Sequence, residues 1–161
     1  MYQNEHSQIN PDRLVEIILY VLNENPSLVN KLPNITDFDR IRTLAPDLVP
    51  TVLGIASEIY GKINCHGASA SLVGLTSGKP VPISPYDMPQ RLNEMVQNDS
   101  LVSRSLVCAR IGDAVAHSGI LLTSDGPKSL ILHKGGYNNP FEITELQLLF
   151  GNSEVESSSL K

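Results

Sequence analysis

The amino-acid sequence predicts an α+β domain in which N-terminal helices pack on a C-terminal antiparallel sheet. Up to Asp99, apolar residues recur mainly at helical spacing, and after it short runs rich in β-branched residues and leucine alternate with Gly, Asp, Asn and Pro. The chain has 161 residues, of which 41% are hydrophobic and 18% are charged. This size and balance are typical of one globular domain with a single core.

Three helices are predicted ahead of Gly61. Asn10 suits an N-cap and Pro11 a first helical position, so the first helix is predicted over residues 11–23. A shorter helix is predicted over residues 36–44 and a longer one over residues 47–60. The longer helix has one apolar face, formed by Leu48, Val52, Ile55 and Ile59. We expect these helices to pack against the sheet and to carry no catalytic residue.

Two more helices and four strands are predicted in the rest of the chain. A helix of small residues begins at Cys65 and runs to Leu75, and another covers residues 89–97 after a loop rich in Gly, Pro and Ser. Strands are predicted over residues 105–110, 114–122, 129–134 and 142–149. Residues 1–150 then form one domain, and the Ser- and Glu-rich segment 151–161 is expected to be a disordered tail.

Charge and cysteine content exclude several classes of protein. The formal net charge is -5 and the Lys and Arg residues are scattered, so neither nucleic acid nor a membrane is expected as a partner. The polar N-terminus does not resemble a signal peptide, so we expect a cytoplasmic protein as synthesised, or one secreted by a non-classical route. The two cysteines, Cys65 and Cys108, are expected to be free thiols, and no cofactor is expected.

Cys65 is a candidate nucleophile because it stands at the start of a predicted helix. Unpaired amide groups and the positive end of the helix dipole favour thiolate over thiol there. Gly67 allows close backbone approach, and the polar His66 indicates an exposed turn. The alternative is that Cys65 is only a small buried residue, as many lone cysteines are.

His117 and His133 are predicted to meet across a hairpin. Residues 123–127 carry a strong turn signal between two strand-like runs. If these five residues form the loop, Leu122 faces Lys128 and His117 lies directly opposite His133. Opposed side chains in an antiparallel pair have Cβ atoms about 5 Å apart, so one imidazole can hydrogen-bond the other. A slip of one residue would place the two rings on opposite faces.

A cysteine at a helix start and a histidine with a polar partner are the minimum set for thiol acyl transfer. The base takes the thiol proton, the partner holds the tautomer of the base, and the Cys65 amide can bind an oxyanion. Two alternatives remain open. In the first, His117 and His133 are strand residues that hydrogen-bond to the backbone. In the second, they bind zinc together with Cys65 and His66. Cys65 and His66 are adjacent in the chain and would chelate one ion poorly, so no metal is expected.

Five short motifs occur in a defined order over about residues 64–133: Asn64-Cys65-His66-Gly67, Gly78-Lys79-Pro80-Val81-Pro82, Gly112-Asp113-Ala114-Val115, His117-Ser118-Gly119-Ile120 and Leu132-His133. The set resembles the NlpC family of papain-fold cysteine peptidases. That family has an Asp or Asn-Cys-Ser-Gly nucleophile motif, a His-Val-Gly-Ile strand bearing the base, and a third polar residue, often His, on the next strand. The resemblance implies a papain-like fold with Cys65 as nucleophile, His117 as base and His133 as the residue that orients it.

The resemblance also implies a substrate. It indicates hydrolysis of an amide bond in a short peptide, such as a peptidoglycan stem peptide or its fragment. The residues expected to contact substrate are Tyr60, Asn64, His66, Gly67 and Ser118. One alternative function is a secreted effector with acyl-transfer or deamidase activity on a protein; the sequence does not identify an immunity or secretion partner for such an effector. The other is a non-catalytic binding module that kept the fold. All three polar residues of the triad are retained, which favours the enzyme.

Overall fold

A computed structural model of the chain describes residues 34–76 and 80–161, together with Arg13, Glu16, Ile17, Tyr20, Val21 and Glu24, which are helical. Apart from the first five of these positions, the helix predicted over residues 11–23 lies outside the described residues. In the described part, no helix is long and apolar enough to cross a membrane. The architecture is α+β, with helices in the N-terminal half and a six-stranded antiparallel sheet in the C-terminal half, as the sequence predicts.

The helices form largely where apolar spacing predicts them. Helix α1 spans Phe38–Leu44. A second, continuous helical stretch follows over residues 46–62. It consists of a 3-10 turn at Pro46–Leu48, helix α2 at Val49–Gly54, a π-helical turn at Ile55–Ile59 and a 3-10 turn at Tyr60–Lys62. Helix α3 spans Cys65–Val73 and helix α4 spans Met88–Leu92. The predicted apolar face of the second stretch is buried in the main core, at Leu48, Val52, Ile55 and Ile59.

The sheet contains six strands in the order β1-β6-β2-β3-β4-β5. Their bounds are β1 Met95–Gln97, β2 Leu106–Ile111, β3 Ala114–Thr123, β4 Leu130–Lys134, β5 Phe141–Glu145 and β6 Val155–Leu160. Every pair of neighbouring strands is antiparallel. A short helix, α5, spans Leu146–Phe150 between β5 and β6.

Three segments differ from the prediction by more than two residues, two of them within short apolar runs. The helix predicted over residues 89–97 ends at Leu92, and the next apolar residues form edge strand β1. The strand predicted over residues 142–149 ends at Glu145, where the chain turns into α5. Both errors arise because a short apolar run has no decisive periodicity, so tertiary packing selects helix or strand.

The third difference is the tail predicted to be disordered over residues 151–161, which instead contains a strand. Strand β6 pairs with β1 on one side and β2 on the other. Ser157 and Ser158 are buried within it. The Ser157 hydroxyl forms hydrogen bonds with Ser105 at 2.6 Å and Asn98 at 3.0 Å. Because its polar side chains find partners, the strand can be interior without an apolar pattern.

The sheet has two covered faces. Leu106, Ile120 and Leu132 point toward the helices and join the main core. Val107, Leu121 and Ile131 point the other way and pack with Phe150 of α5 in a smaller core. The alternation follows from the two-residue repeat of a strand. Helix α3, which begins at Cys65, therefore lies over one defined face, and α5 covers part of the other.

Candidate active site

Asn64 positions the helix that carries Cys65. Its Oδ1 accepts hydrogen bonds from the amides of Gly67 at 3.0 Å and Ile83 at 3.1 Å, and its Nδ2 donates to the Ile83 carbonyl at 2.6 Å. Asn64 is thus an N-cap for α3 and also holds the neighbouring segment. A Cβ on Gly67 would lie 2.3 Å from the Val81 carbonyl oxygen, so the close approach requires glycine.

The segment around Cys65 is buried, whereas the sequence predicts an exposed turn. Asn64, Cys65, His66 and Gly67 are all in the buried class. Asn64 and Gly67 therefore fix the backbone at Cys65. Their polar groups and their space are occupied by the segment that contains Val81 and Ile83, and their contact with substrate stays a prediction.

His66 and Ser118, also expected to contact substrate, form a closed hydrogen-bonded unit. Both side chains are fully buried. His66 Nδ1 lies 2.7 Å from Ser118 Oγ, and its Nε2 lies 2.9 Å from the Val115 carbonyl oxygen. Since a carbonyl only accepts, Nε2 carries the proton and Ser118 donates to Nδ1. Burial lowers the pKa of His66, with the Val115 carbonyl opposing, so a neutral His66 ties α3 to β3.

Cys65 is the first residue of α3, as predicted, and is 7% exposed. Amides of Ser118, His66 and Cys65 itself favour its thiolate, as does the positive charge of Lys134. Burial outweighs them and raises the pKa of the Cys65 thiol. The helix-start amides thus favour the thiolate, as expected, but burial has the larger effect on the thiol pKa.

Lys134 is a part of the site that the sequence does not indicate. Its side chain is fully buried at the end of β4. Nζ donates to the carbonyls of Ile63 at 2.8 Å, Tyr137 at 2.7 Å and Gly136, and it lies 4.6 Å from the centroid of the Tyr60 ring. Burial lowers its pKa to about 8, and the charge of the Cys65 thiolate opposes that shift. A lysine at a strand end is ordinarily solvated, so no pattern marks this one.

Tyr60 is the remaining residue that was expected to contact substrate. Its hydroxyl donates to the Asn138 carbonyl at 2.5 Å, and its ring lies under the Lys134 ammonium group. The side chain is partly exposed, so it borders the site. Tyr60 thus connects the second helical stretch to the loop after β4 and leaves part of its surface open to a ligand.

His117 and His133 form the predicted pair. His117 Nε2 lies 3.0 Å from His133 Nδ1, and the rings meet edge to face with centroids 5.0 Å apart. Burial lowers the pKa of each to about 4, and repulsion from a protonated neighbour, His66 for His117 and His117 for His133, lowers it further. Both imidazoles are therefore neutral at pH 7.

The hairpin register that joins the histidines differs from the predicted one by two residues. Ile120 pairs with Leu132, so Gly119, and not His117, is opposite His133. A Cβ on Gly119 would lie 2.6 Å from the Ile131 side chain and 3.1 Å from the His133 Cβ. Because a slip of two keeps the same face, and because Gly119 has no side chain, His117 reaches His133 diagonally.

The structure brings His117 and His133 together but does not bring Cys65 to them. Ser118, Ile120 and Leu132 face the helices, so the two histidines, which alternate with them, lie on the opposite face of the sheet beside Phe150. No hydrogen bond joins Cys65 to either ring in the described part of the chain. The Ser118 amide, which favours the thiolate, directly follows His117 in the chain. His117 Nδ1 forms no hydrogen bond within the described residues, and its ring also lies 6.1 Å from that of Phe150. One nitrogen of the predicted base is therefore free of hydrogen bonds in the described residues, on the face of the sheet away from Cys65.

Within residues 34–76 and 80–161, no group of three or more His, Cys, Asp or Glu side chains is arranged to hold a metal ion. The zinc ligand set considered from the sequence also does not converge. His66 uses both nitrogens within the protein, and His117 and His133 bond to each other.

Comparisons of this chain with protein-family models, with curated proteins and with solved structures give no match.

Proposed function

We propose that this chain is a cysteine hydrolase that cleaves an amide bond in a short peptide, with Cys65 as nucleophile, His117 as general base and His133 as the orienting residue. The proposal is supported by one observation above all. His117 and His133, the base and orienting residue expected from the sequence, are hydrogen-bonded to each other, and Nδ1 of His117 has no hydrogen bond in the described residues. A papain-like triad needs such a pair, and it also needs the His117 ring to turn from the far face of the sheet toward Cys65.

The protonation states favour proton transfer during attack over a preformed ion pair. Burial raises the pKa of Cys65 and lowers that of His117 to about 4, so thiol and neutral imidazole coexist at neutral pH. The thiol proton moves to His117 Nδ1 as sulfur attacks the carbonyl carbon. Because the ring and the sulfur lie on opposite faces of the sheet in this structure, the transfer requires β3 to rearrange at His117 when substrate binds. His117 then protonates the leaving amine, and water hydrolyses the thioester.

Backbone amides supply the second requirement of acyl transfer. Cys65 occupies the first turn of α3, where an amide has no carbonyl partner within the helix. Its N–H can therefore donate to the oxyanion that forms on attack. The buried ammonium group of Lys134 adds positive charge near the same sulfur. The Cys65 amide and the Lys134 ammonium group therefore stabilise the negative charge that develops during attack, which the bound substrate does not yet carry.

The substrate we propose is a peptidoglycan stem peptide or its fragment, by resemblance to the NlpC motifs. An acyl-transfer or deamidase reaction on a protein uses the same triad and differs only in the acceptor or in the leaving group, which is ammonia for a glutamine side chain. A binding module that kept the fold is the non-enzymatic competitor. It is favoured by one observation, the low exposure of Cys65 at 7%.

Triad variants test the proposal. Turnover of stem peptides is followed by mass spectrometry for Cys65→Ser, His117→Ala and His133→Ala proteins. Loss of the general base should lower kcat by about 10²–10⁴-fold, and the Cys65→Ser His117→Ala double variant should be little worse than either single variant. His133→Ala should lose less, because His133 exchanges no proton with substrate.

Cys108→Ala is the matched control, since Cys108 lies on β2 and takes no part in the mechanism. Its turnover should equal that of the unaltered protein if circular dichroism shows an intact fold. Full activity of a folded Cys65→Ala protein would contradict the proposal. Release of ammonia from a protein glutamine, with no cleavage of peptides, would instead identify the deamidase.

A further inference from the structure

Two side chains of β5 extend the histidine pair beyond the predicted triad. In the β4–β5 register, Glu142 lies directly opposite His133. His133 Nε2 is 2.9 Å from Thr144 Oγ1 and 3.5 Å from Glu142 Oε1. Glu142 and Thr144 are two residues apart, so they occupy the same face of the sheet. The His133 side chain is 4% exposed and that of Glu142 is 43% exposed, so the carboxylate lies between the buried ring and solvent.

The chemistry of these oxygens restricts the proton on His133. A carboxylate only accepts hydrogen bonds, whereas a hydroxyl can donate or accept. A negatively charged oxygen beside Nε2 therefore favours an N–H at that position. A neutral imidazole has a single N–H, so Nδ1 of His133 must then be an acceptor.

The same restriction passes to His117. His133 Nδ1 lies 3.0 Å from His117 Nε2. If His133 Nδ1 accepts the hydrogen bond between them, His117 Nε2 must carry the proton and donate it. With its one proton on Nε2, His117 has a lone pair on Nδ1, the nitrogen that a base needs. If Thr144 donated to His133 Nε2 instead, both tautomers would reverse and His117 Nδ1 would carry the proton. The group facing Nε2 thus decides whether His117 is a base.

We infer that Glu142 and Thr144 are positioning residues that hold the imidazoles of His133 and His117 in the Nε2–H tautomer. The Glu142 carboxylate sets which nitrogen of each ring donates a hydrogen bond. Thr144 accepts the hydrogen bond from His133 Nε2. The inference rests on the proposed function for its use in catalysis. Its structural content, two tautomers, is independent of any substrate. Glu142 acts on the reaction only through His133 and His117.

The tautomers can be measured directly. Long-range proton–nitrogen correlation spectra of the full chain, labelled with ¹⁵N in histidine and recorded at neutral pH, distinguish protonated from unprotonated ring nitrogens. We expect His133 and His117 to be protonated on Nε2 and unprotonated on Nδ1. A proton on Nδ1 of either ring in the unaltered protein would overturn the inference. His66 serves as an internal reference, because the Val115 carbonyl holds it in the Nε2–H form whatever stands at position 142.

A Glu142→Gln variant tests the cause. The amide of glutamine can donate to His133 Nε2, so the nitrogen signals of His117 Nδ1 and Nε2 should move toward each other as the reversed tautomers become populated. Glu145→Gln is the matched control, since it removes the same charge from the same strand and has no hydrogen bond or ion pair with His133 in the described residues. Identical spectra for the Glu142→Gln variant and the unaltered protein would overturn the role of Glu142, provided that the His66 signals show an intact fold.

Activity gives a separate readout. With a stem peptide as substrate, Glu142→Gln should lower kcat and leave KM unchanged, because only the state of the base changes. A Glu142→Gln protein with unchanged kcat would contradict a positioning role. If no form of the protein cleaves peptide, the proposed function fails, whereas the tautomers measured by NMR still decide the inference about Glu142 and Thr144.

Discussion

The sulfurs of the two cysteines have opposite electrostatic surroundings. Cys65 is next to helix-start amides and the charge of Lys134, which favour its thiolate. The Cys108 sulfur lies 3.9 Å from the Glu156 carboxylate, and burial together with that charge raises its pKa to about 12. Burial also raises the pKa of Cys65, so neither cysteine is a ready thiolate at neutral pH.

We predict that iodoacetamide alkylates Cys65 faster than Cys108 at every pH from neutral to about pH 9, because alkylation requires the thiolate and Cys108 remains protonated throughout that range. The rate at Cys65 should rise with pH, since its raised pKa leaves mostly thiol at neutral pH. Peptide mapping by mass spectrometry measures both rates in one sample. Equal rates, or faster labelling of Cys108, would show that the surroundings of Cys65 do not favour its thiolate.

At the scale of single residues, the sequence predicts the positions of Cys65 and the histidine pair in their elements better than it predicts their surroundings. Cys65 at a helix start and the contact between His117 and His133 follow from capping, turn and strand patterns, and both are present. The burial of His66 and the position of Lys134 depend on which elements pack together, and no local pattern contains that information. The raised pKa of Cys65 is not predictable for the same reason, since the burial that raises it depends on how the elements pack.

At the scale of elements, the β3–β4 hairpin controls whether the histidines meet. The predicted register is wrong by two residues because the turn region is irregular, with a shift in pairing between Leu121 and Thr123. The shift preserves the face of each histidine but requires a residue without a side chain opposite His133. Gly119 meets that requirement, and its neighbours leave no room for a Cβ.

We therefore predict that Gly119→Ala lowers the free energy of unfolding by about 1–3 kcal/mol, the usual cost of an overpacked core. The new Cβ would lie 2.6 Å from Ile131 and would separate β3 from β4. Urea denaturation followed by circular dichroism measures the change. Gly61→Ala is the control, because the nearest atom to its new Cβ is Asn138 Oδ1 at 3.7 Å, an ordinary contact. Equal stability of the two variants would show that the close approach at Gly119 is not required.

At the scale of the whole molecule, the α+β class and the order of helices before strands follow from the change in apolar spacing after Asp99, and both are present. The completion of the sheet does not follow from that pattern. Strand β6 is rich in serine, and its place between β1 and β2 is specified by partners that are distant in sequence. Apolar periodicity detects strands that contribute to a core, and it misses a strand held by backbone pairing and hydroxyl groups.

The position of β6 gives the last prediction. A stop codon after Gly151 removes residues 152–161 and with them the strand between β1 and β2. It also removes the hydrogen bond of Ser157 to buried Ser105 and the 2.9 Å contact of Arg110 Nε with Glu156. Because a buried polar group and two strand edges would lose their partners, we expect this protein to lose its cooperative thermal transition or to melt at a much lower temperature. A stop codon after Leu160 removes only Lys161, which is exposed and outside the strand, and should leave the transition unchanged. Thermal melts by circular dichroism compare the two. If both truncated proteins melted at the same temperature, β6 would be dispensable to the fold, as a disordered tail would be.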